Sequence, residues 1–356
     1  MTETELRVLI ESKDPHKLVK ALSKLDNKHR RKLSTLAQSF YKTKLDECEA
    51  RLHWGGPEYG KPVDREGMFT CSLALLALAP YTKAKQVLRD AWIVGKCKNF
   101  DELLCQVLID RKPDWVDKWI LRSLRPNVNM WAIIRKLILS GVASKPADNE
   151  YIIMMFRLKL GHDSRTLKER LLDDKELFKD EIWRLFALAA MPQAFFSPDD
   201  DPVYVEYSWS HTLIELANEG HIDRKRLLTE SVKALTVGPR KSNTKWFYSL
   251  HERLKPTFDE RVSLQDIYLD LLRSSTPAVV AFALKALKEI YVGKGLKSEK
   301  LLHKIADVFN VETKGPAIVA LKLLKIVASE GISMSVIASE KMCQAFTHRN
   351  IDVHLL

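Results

Sequence analysis

TPAVVAFALKALKEIYV, residues 276–292, is the stretch that decides the fold of this chain. Thr276 suits a helix N-cap, and Pro277 suits the first helical position, where its missing N–H leaves no hydrogen bond unmade. Apolar side chains then recur at the spacing of one helix face: Val279, Ala283, Leu284, Leu287 and Ile290. The stretch therefore predicts an amphipathic helix that begins at Pro277.

The same pattern returns 37 residues later. In the first helix, Ala283, Leu284, Lys285, Leu287, Lys288 and Ile290 correspond to Ala320, Leu321, Lys322, Leu324, Lys325 and Val327. In the helix that follows, Ile305 and Phe309 correspond to Met342 and Phe346. One helix pair cannot bury its apolar face alone, so repeated pairs stack on one another. We therefore predict an all-α fold, a right-handed α-α superhelix formed by a HEAT-like helical-repeat solenoid.

Three regions are expected along the chain. Residues 1–65 form an N-terminal helical segment and loop, residues 66–200 form a helical region continuous with the array, and residues 201–356 hold the helix-pair repeats. A further pair is expected over 243–272, where Thr257 and Glu260 match a capping box. The 37-residue shift places the next Ala-Leu pair just beyond Leu356, so we expect either a longer protein or an array completed by a partner.

The N-terminal half predicts helices separated by one marked loop. Residues 4–50 have the spacing of two or three helices, and residues 54–67 contain the glycines and prolines of a loop. Helical patterns resume near Phe69. Trp115, Trp119 and Trp131 are expected to face inward.

Composition limits the class of protein. The 356 residues include only 13 glycines and 14 prolines, which favours long helices with short turns. The five cysteines are scattered and include no C-x-x-C, which is typical of a reducing, cytoplasmic location. The longest apolar run, residues 73–80, is far below the roughly 20 residues that span a membrane. We therefore predict a protein that does not enter the membrane.

The motifs of common enzymes are incomplete. Gly55, Gly60 and Lys61 nearly match a P-loop, but Pro62 replaces the hydroxyl residue that binds magnesium. Asp199–Asp201 lacks the alternating oxygen ligands of a calcium loop. No Gly-x-Ser-x-Gly elbow or His-Glu-x-x-His motif occurs. We therefore predict no catalytic residue, no metal site and no cofactor.

Three histidines lie near the repeats, at His211, His221 and His251. Their spacing of ten and thirty residues does not match a metal-binding motif. We interpret each as a helix-end or surface residue.

From Asp110 onward the chain resembles a bacterial family catalogued as a domain of unknown function, with HEAT-like helical repeats. The matching stretches are DRKPDW (110–115), YSWSH (207–211), LANEGHIDRKRLL (216–228), KWF (245–247) and LKPTFDE (254–260). They cover most of residues 110–330, and the segment 215–260 is the most specific. The resemblance implies a helical-repeat fold in a longer protein. It implies no activity and no functional residues.

Positive charge supplies the candidate binding residues. The chain has 57 Lys and Arg against 46 Asp and Glu, for a net charge of +11. Candidate nucleic-acid contacts are the cluster Lys28, Arg30, Arg31 and Lys32, and a row across the repeats formed by Lys285, Lys288, Lys322 and Lys325. A lysine row follows phosphates without reading bases.

Two functions from different classes remain open. The first is a non-catalytic helical-repeat scaffold that binds a protein partner on an extended surface. The second is a nucleic-acid-binding protein, with base excision of the DNA glycosylase type as its enzymatic form. By fold analogy alone, Asp114 with Trp115 and Trp119 would then be its catalytic cluster. The pattern predicts neither the identity of the protein partner nor an oligomeric state.

Overall fold

The computed structural model describes residues 1–95, 97–124, 130–155, 165–188, 208–238 and 241–354. All regular structure in these residues is α-helix or short 3-10 helix, and none of them lies in a strand. The prediction of an all-α protein is confirmed. The chain divides into two compact units, unit 1 over residues 1–157 and unit 2 over residues 158–356.

Unit 1 contains the helices α1 to α11. They are α1 (Glu3–Glu11), α2 (Pro15–Leu22), α3 (Asn27–Leu52), α4 (Arg65–Leu78), α5 (Tyr81–Ala84), α6 (Gln86–Arg89), α7 (Ala91–Val94), α8 (Phe100–Arg111), α9 (Val116–Ser123), α10 (Trp131–Leu139) and α11 (Asn149–Met155). Three helices precede the expected loop. The helix after the loop begins at Arg65, four residues before Phe69, because Asp64 caps it by accepting a hydrogen bond from Gly67 N.

The core of unit 1 is organised around α4. Every residue from Gly67 to Leu78 is buried, and α1, α2, α3 and α8 all pack against this helix. A helix that is apolar on all sides is stable only when neighbours cover it completely. The apolar run is therefore core from Leu73 to Ala79, and no helix in the described part of the chain is long and apolar enough to span a membrane.

Unit 1 satisfies one buried carboxylate completely. The Tyr41 hydroxyl donates to Asp90 Oδ2 at 2.6 Å, and Arg89 donates to both oxygens of Asp90 at 2.7 and 3.1 Å. These contacts join α3 to the turn between α6 and α7. Because charged hydrogen bonds compensate for lost hydration, Asp90 is stable in the interior.

Unit 2 contains the helices α12 to α23. They are α12 (Leu167–Leu172), α13 (Glu181–Arg184), α14 (Trp209–Asn218), α15 (Arg224–Thr236), α16 (Lys241–Arg253), α17 (Phe258–Ser263), α18 (Gln265–Leu271), α19 (Pro277–Val292), α20 (Ser298–Lys304), α21 (Lys314–Ala328), α22 (Ile332–Cys343) and α23 (Ile351–His354). Short 3-10 helices follow α20 at Ile305–Asn310 and α22 at Gln344–Thr347.

The helices of unit 2 pack in two rows. One row contains α14, α16, α19 and α21, and the other contains α15, α18, α20 and α22. Neighbours within each row touch, and α15 with α16, α18 with α19 and α21 with α22 pack across the rows. Each helix therefore covers apolar surface on its neighbours in both directions.

The helix bounds agree with the 37-residue period. Shifted by 37 residues, the bounds of α19 fall on 314 and 329, and α21 occupies Lys314–Ala328. The second helix of each pair also ends in a 3-10 helix, at Ile305–Asn310 and at Gln344–Thr347. Thr276 is the N-cap residue of α19 and Pro277 is its first residue, as predicted.

Ion pairs repeat along the second row. Lys300 pairs with Asp266 at 2.8 Å and Arg273 with Asp307 at 3.3 Å, and Lys304 contacts Asp270. All three pairs join residues 34 positions apart, so α18 and α20 run side by side in the same direction. Exposed pairs of this kind contribute little stability singly, and here they mark the register of the stack.

The predicted capping box is confirmed at the start of α17. Thr257 Oγ1 accepts from Glu260 N, and the Glu260 carboxylate accepts from Thr257 N at 2.8 Å. The same carboxylate receives two hydrogen bonds from Arg224, at 3.0 and 3.2 Å, which join α15 to α17. The predicted region boundaries at residues 65 and 200 stay predictions. The Asp199–Asp201 run and Tyr207 lie outside the described residues.

Candidate functional site

A cavity of about 690 Å³ opens between α3, the end of α4 and the end of α8 in unit 1. Its lining is polar and strongly basic. The residues that form it are Asn27, Arg30, Arg31, Ser34, Leu78, Pro80, Arg111, Lys112, Pro113, Asp114 and Trp115. Four cationic side chains and one carboxylate give this lining a net positive charge of three, and we call it the basic cleft.

One wall of the basic cleft is a single face of α3. Asn27, Arg30, Arg31 and Ser34 have the spacing i, i+3, i+4 and i+7, which places them together on a helix. Lys28 and Lys32 are exposed and do not line the cavity. The predicted basic cluster is thus divided by helix geometry. The positive end of the α3 dipole also faces the cavity, since Asn27 is the first residue of the helix.

Arg30 is the buried member of this wall. It is only 8% exposed, and its Nε has no hydrogen-bond partner. Within the described residues no carboxylate forms an ion pair with Arg30. Burying a guanidinium without a partner is unfavourable, because the charge loses its hydration and gains nothing in return.

Arg111 faces the cleft from the last turn of α8. Its Nη1 donates to the Leu76 carbonyl in the last turn of α4, and its guanidinium lies over the Trp115 ring at 5.0 Å. Both contacts favour a cation, since a helix C-terminus is negative and an aromatic face attracts positive charge. These contacts fix the Arg111 side chain and use only one of its guanidinium nitrogens, Nη1, as a hydrogen-bond donor.

The two guanidiniums oppose each other electrostatically. Burial first, and then the nearby Arg30 charge, lower the pKa of Arg111 to about 10, while Asp114 acts in the opposite direction. At neutral pH Arg111 is still charged. The basic cleft therefore concentrates positive charge that the described part of the protein does not neutralise.

A short turn completes the other wall. Lys112 ends α8 with a φ of +45°, in the left-handed region that glycine usually occupies at this position. Pro113 and Asp114 form the turn before α9, which begins at Val116. The centroids of the Trp115 and Tyr81 rings lie 6.1 Å apart. Lys118 Nζ lies over the Tyr81 ring, 5.0 Å from its centroid.

The glycosylase-like cluster is not assembled in this structure. Asp114 and Trp115 line the basic cleft, but Trp119 is fully buried in the core of unit 1. Trp131 is also buried, so the expectation of inward-facing tryptophans holds for Trp119 and Trp131. Trp115 is half-buried and belongs to the cleft instead.

The lysine row lies on the outside of unit 2. Lys285 and Lys288 are exposed on α19, and Lys322 and Lys325 are exposed on α21, which packs beside α19. Lys285 pairs with Glu252 at 3.0 Å. The four lysines share equivalent faces of neighbouring helices, as the register predicts. All four are exposed to solvent, and an acidic side chain, Glu252, pairs with one of them.

Sequence reasoning missed a buried polar network in unit 2. His251 Nδ1 lies 3.0 Å from Ser231 Oγ, and His251 Nε2 lies 2.6 Å from the Tyr268 hydroxyl. Ser231 donates its own proton to the Leu228 carbonyl at 2.8 Å, so it accepts from Nδ1–H, and the Tyr268 hydroxyl donates to Nε2. Burial and the Arg261 charge lower the pKa of His251 to about 4.

This Ser-His-Tyr arrangement serves packing. All three side chains are completely buried, and the serine hydroxyl is already committed to its own helix. His251 lies in the last turn of α16, which agrees with the helix-end alternative of the prediction, and its burial excludes the surface alternative. The signal was available only in part, because Ser231 and Tyr268 lie 20 and 17 residues away.

Of the other two histidines near the repeats, His211 is half-buried and His221 is exposed, which agrees with the helix-end or surface prediction. The described residues contain no group of three or more His, Cys, Asp or Glu side chains placed to bind a metal ion.

The second helix of the last pair exposes apolar side chains. Ile332 is 88% exposed and Val336 is 66% exposed, and the exposed Cys343 continues the same face of α22. Phe346, in the 3-10 helix that follows, is 65% exposed, whereas its repeat equivalent Phe309 is 3% exposed. We call Ile332, Val336, Cys343 and Phe346 the α22 stripe.

Comparisons with known proteins give one match. No curated protein and no solved structure matches the chain significantly. A family model matches residues 1–315, which begins well before the stretch from Asp110 that carried the resemblance. The chain belongs to the family described as a domain of unknown function, DUF6493.

Proposed function

We propose that this protein is a non-catalytic helical-repeat scaffold, in which unit 2 forms a HEAT-like right-handed superhelix and binds a protein partner through the α22 stripe. The observation that carries this proposal is the exposure of the stripe. Apolar side chains clustered on one exposed face mark interaction sites more often than scattered ones do.

The repeat suggests what kind of surface covers the stripe. The 3-10 helix that contains Phe309 packs against α21 and against the 3-10 helix after α22. Phe346 holds the equivalent position with the same side chain, but the only ring near it among the described residues is His354 of the short helix α23, at 5.7 Å, and Phe346 stays 65% exposed. A partner that presents an amphipathic helix would pack there as the next helix of the row does elsewhere.

Site-specific photo-crosslinking tests the proposal in cells that produce the protein. A photo-reactive side chain replaces Val336 in the stripe or, as a matched control, Val237, which is 55% exposed at the end of α15. We expect a discrete crosslinked protein from position 336 that is lost when Ile332→Asp is added. The same products from positions 336 and 237 would contradict the proposal.

Nucleic-acid binding is the second candidate function. Its support is the shared exposed face of Lys285, Lys288, Lys322 and Lys325 on two packed helices. Fluorescence anisotropy of a labelled DNA duplex, titrated at low and physiological salt, tests it. Binding through the row would weaken steeply as salt rises, and removal of two of the four lysines would reduce the salt slope by about two. No binding at low salt would eliminate this candidate.

A further inference from the structure

We propose that the basic cleft of unit 1 is a binding site for a small phosphate monoester, with the phosphate held between Arg30 and Arg111. The site is independent of the α22 stripe, which lies in unit 2.

The buried, unpartnered guanidinium of Arg30 is the first observation. Arg30 is more than nine-tenths buried, lines the cavity and has an Nε without a partner. A second guanidinium, Arg111, faces the same cavity and is close enough for the two charges to repel. An anion between them would remove the repulsion and accept hydrogen bonds from the guanidinium groups that line the cavity.

Charge selects the class of anion. One buried and one half-buried arginine, Arg30 and Arg111, favour a ligand with close to two negative charges. A phosphate monoester carries about −1.5 to −2 at neutral pH, whereas a carboxylate or a phosphodiester carries only one negative charge. Arginine forks also match the oxygen geometry of phosphate by donating two parallel hydrogen bonds. The cleft therefore favours a monoester over a nucleic-acid backbone.

Size and preorganisation support a small ligand. The volume of about 690 Å³ lies within the roughly 300–1,000 Å³ typical of small-molecule sites and leaves room for an organic group beside the phosphate. Arg111 is already fixed by the Leu76 carbonyl and the Trp115 ring. Less side-chain entropy is then lost on binding, which favours affinity.

Calorimetric titration of the full chain in phosphate-free buffer tests the proposal. The probes are inorganic phosphate, glycerol phosphate, AMP, acetate and an oligothymidylate without terminal phosphates. We expect saturable binding of the monoesters, with acetate at least about tenfold weaker because one charge is missing. Affinity for glycerol phosphate should rise as pH increases through about 6, where the second proton leaves. The difference between AMP and inorganic phosphate shows whether the organic group is also recognised.

Matched variants on α3 separate the site from general attraction. Arg31→Gln removes a cation that lines the cleft, while Lys28→Gln and Lys32→Gln remove exposed cations from the other faces of the same helix. We expect Arg31→Gln to weaken glycerol phosphate by about tenfold and the two controls to change it less than about twofold. Lys112→Gly keeps the left-handed backbone and removes a further cation, so it should also weaken binding.

Arg30→Met should remove detectable binding while unit 1 stays folded, as measured by hydrogen exchange. The proposal is overturned if no monoester binds up to about 10 mM. It is equally overturned if Lys28→Gln weakens binding as much as Arg31→Gln, or if the oligothymidylate binds and the monoesters do not.

Discussion

The basic cleft of unit 1 and the His251 network of unit 2 both place polar groups in the interior, but only one of them is complete. His251 has a partner on each ring nitrogen, and Ser231 completes its own hydrogen bond within α15. Arg30 has a buried Nε without a partner and a second cation nearby.

The difference shows how a buried polar group indicates its role. A satisfied network joins helices, and its removal costs stability. A buried charge without a partner costs stability while it is empty, so it is retained where a ligand supplies the missing contacts. Asp90 supports this contrast inside unit 1, because Tyr41 and Arg89 satisfy it fully.

Acid should destabilise unit 2 through His251, and this is the largest expected effect. The pKa is about 4 in the folded chain and about 6.5 unfolded, so the unfolded chain binds more protons between these values. Stability is complete above pH 6.5 and falls by about 3 kcal/mol as pH decreases to about 4. Hydrogen exchange of the α15 and α16 amides measures this loss. His251→Gln should remove that pH dependence, whereas His303→Gln at the exposed surface should retain it.

Tyr268→Phe should cost unit 2 about 1–3 kcal/mol, because it leaves the buried Nε2 of His251 without a donor. Hydrogen exchange of the same amides at pH 7 measures the loss. Tyr291→Phe is the control, since that ring is only half-buried at the edge of α19. A loss no larger than that of the control would mean that the network is not a stabilising unit.

Arg30→Met should not lower the stability of unit 1, in contrast to the effect of Tyr268→Phe on unit 2. In the absence of phosphate we expect unchanged stability or a gain of about 1 kcal/mol, because an apolar side chain replaces an unpaired buried charge. Asp90→Ala, by contrast, should destabilise unit 1, since it leaves the buried Tyr41 hydroxyl without its acceptor. Exchange of the α3 and α4 amides compares the two variants. A clear loss in Arg30→Met would make Arg30 a structural residue and break the comparison.

The smallest effect is expected in the lysine row. Lys288→Gln with Lys322→Gln should change stability by less than about 0.5 kcal/mol, because both side chains are exposed. Their removal should also leave glycerol phosphate binding unchanged. Urea unfolding and the calorimetric titration measure the two results, and a weaker phosphate affinity would mean that overall charge, and not the cleft, attracts the ligand.

Much of the fold was accessible from sequence because its signals are local. The Thr276–Pro277 helix start and the Thr257–Glu260 capping box depend on residues within one turn, and the period that relates α19 to α21 is read directly along the chain. The predicted start of α4, near Phe69, was four residues too late, because Gly67 in its first turn resembled loop sequence. The helix-end position of His251 was also accessible, but its burial was not, since its partners Ser231 and Tyr268 lie on other helices.

The sequence by itself determined the all-α class, the 37-residue period and the presence of dense positive charge near Arg30. Only the tertiary structure decided that Arg30 and Arg31 line one cleft with Arg111, while Lys28 and Lys32 lie outside it. The physical reason is range. Helix periodicity and caps follow from neighbours in the chain, whereas burial and charge–charge repulsion depend on which helices pack together. Charge content was therefore visible in the sequence, and its concentration in one cleft was not.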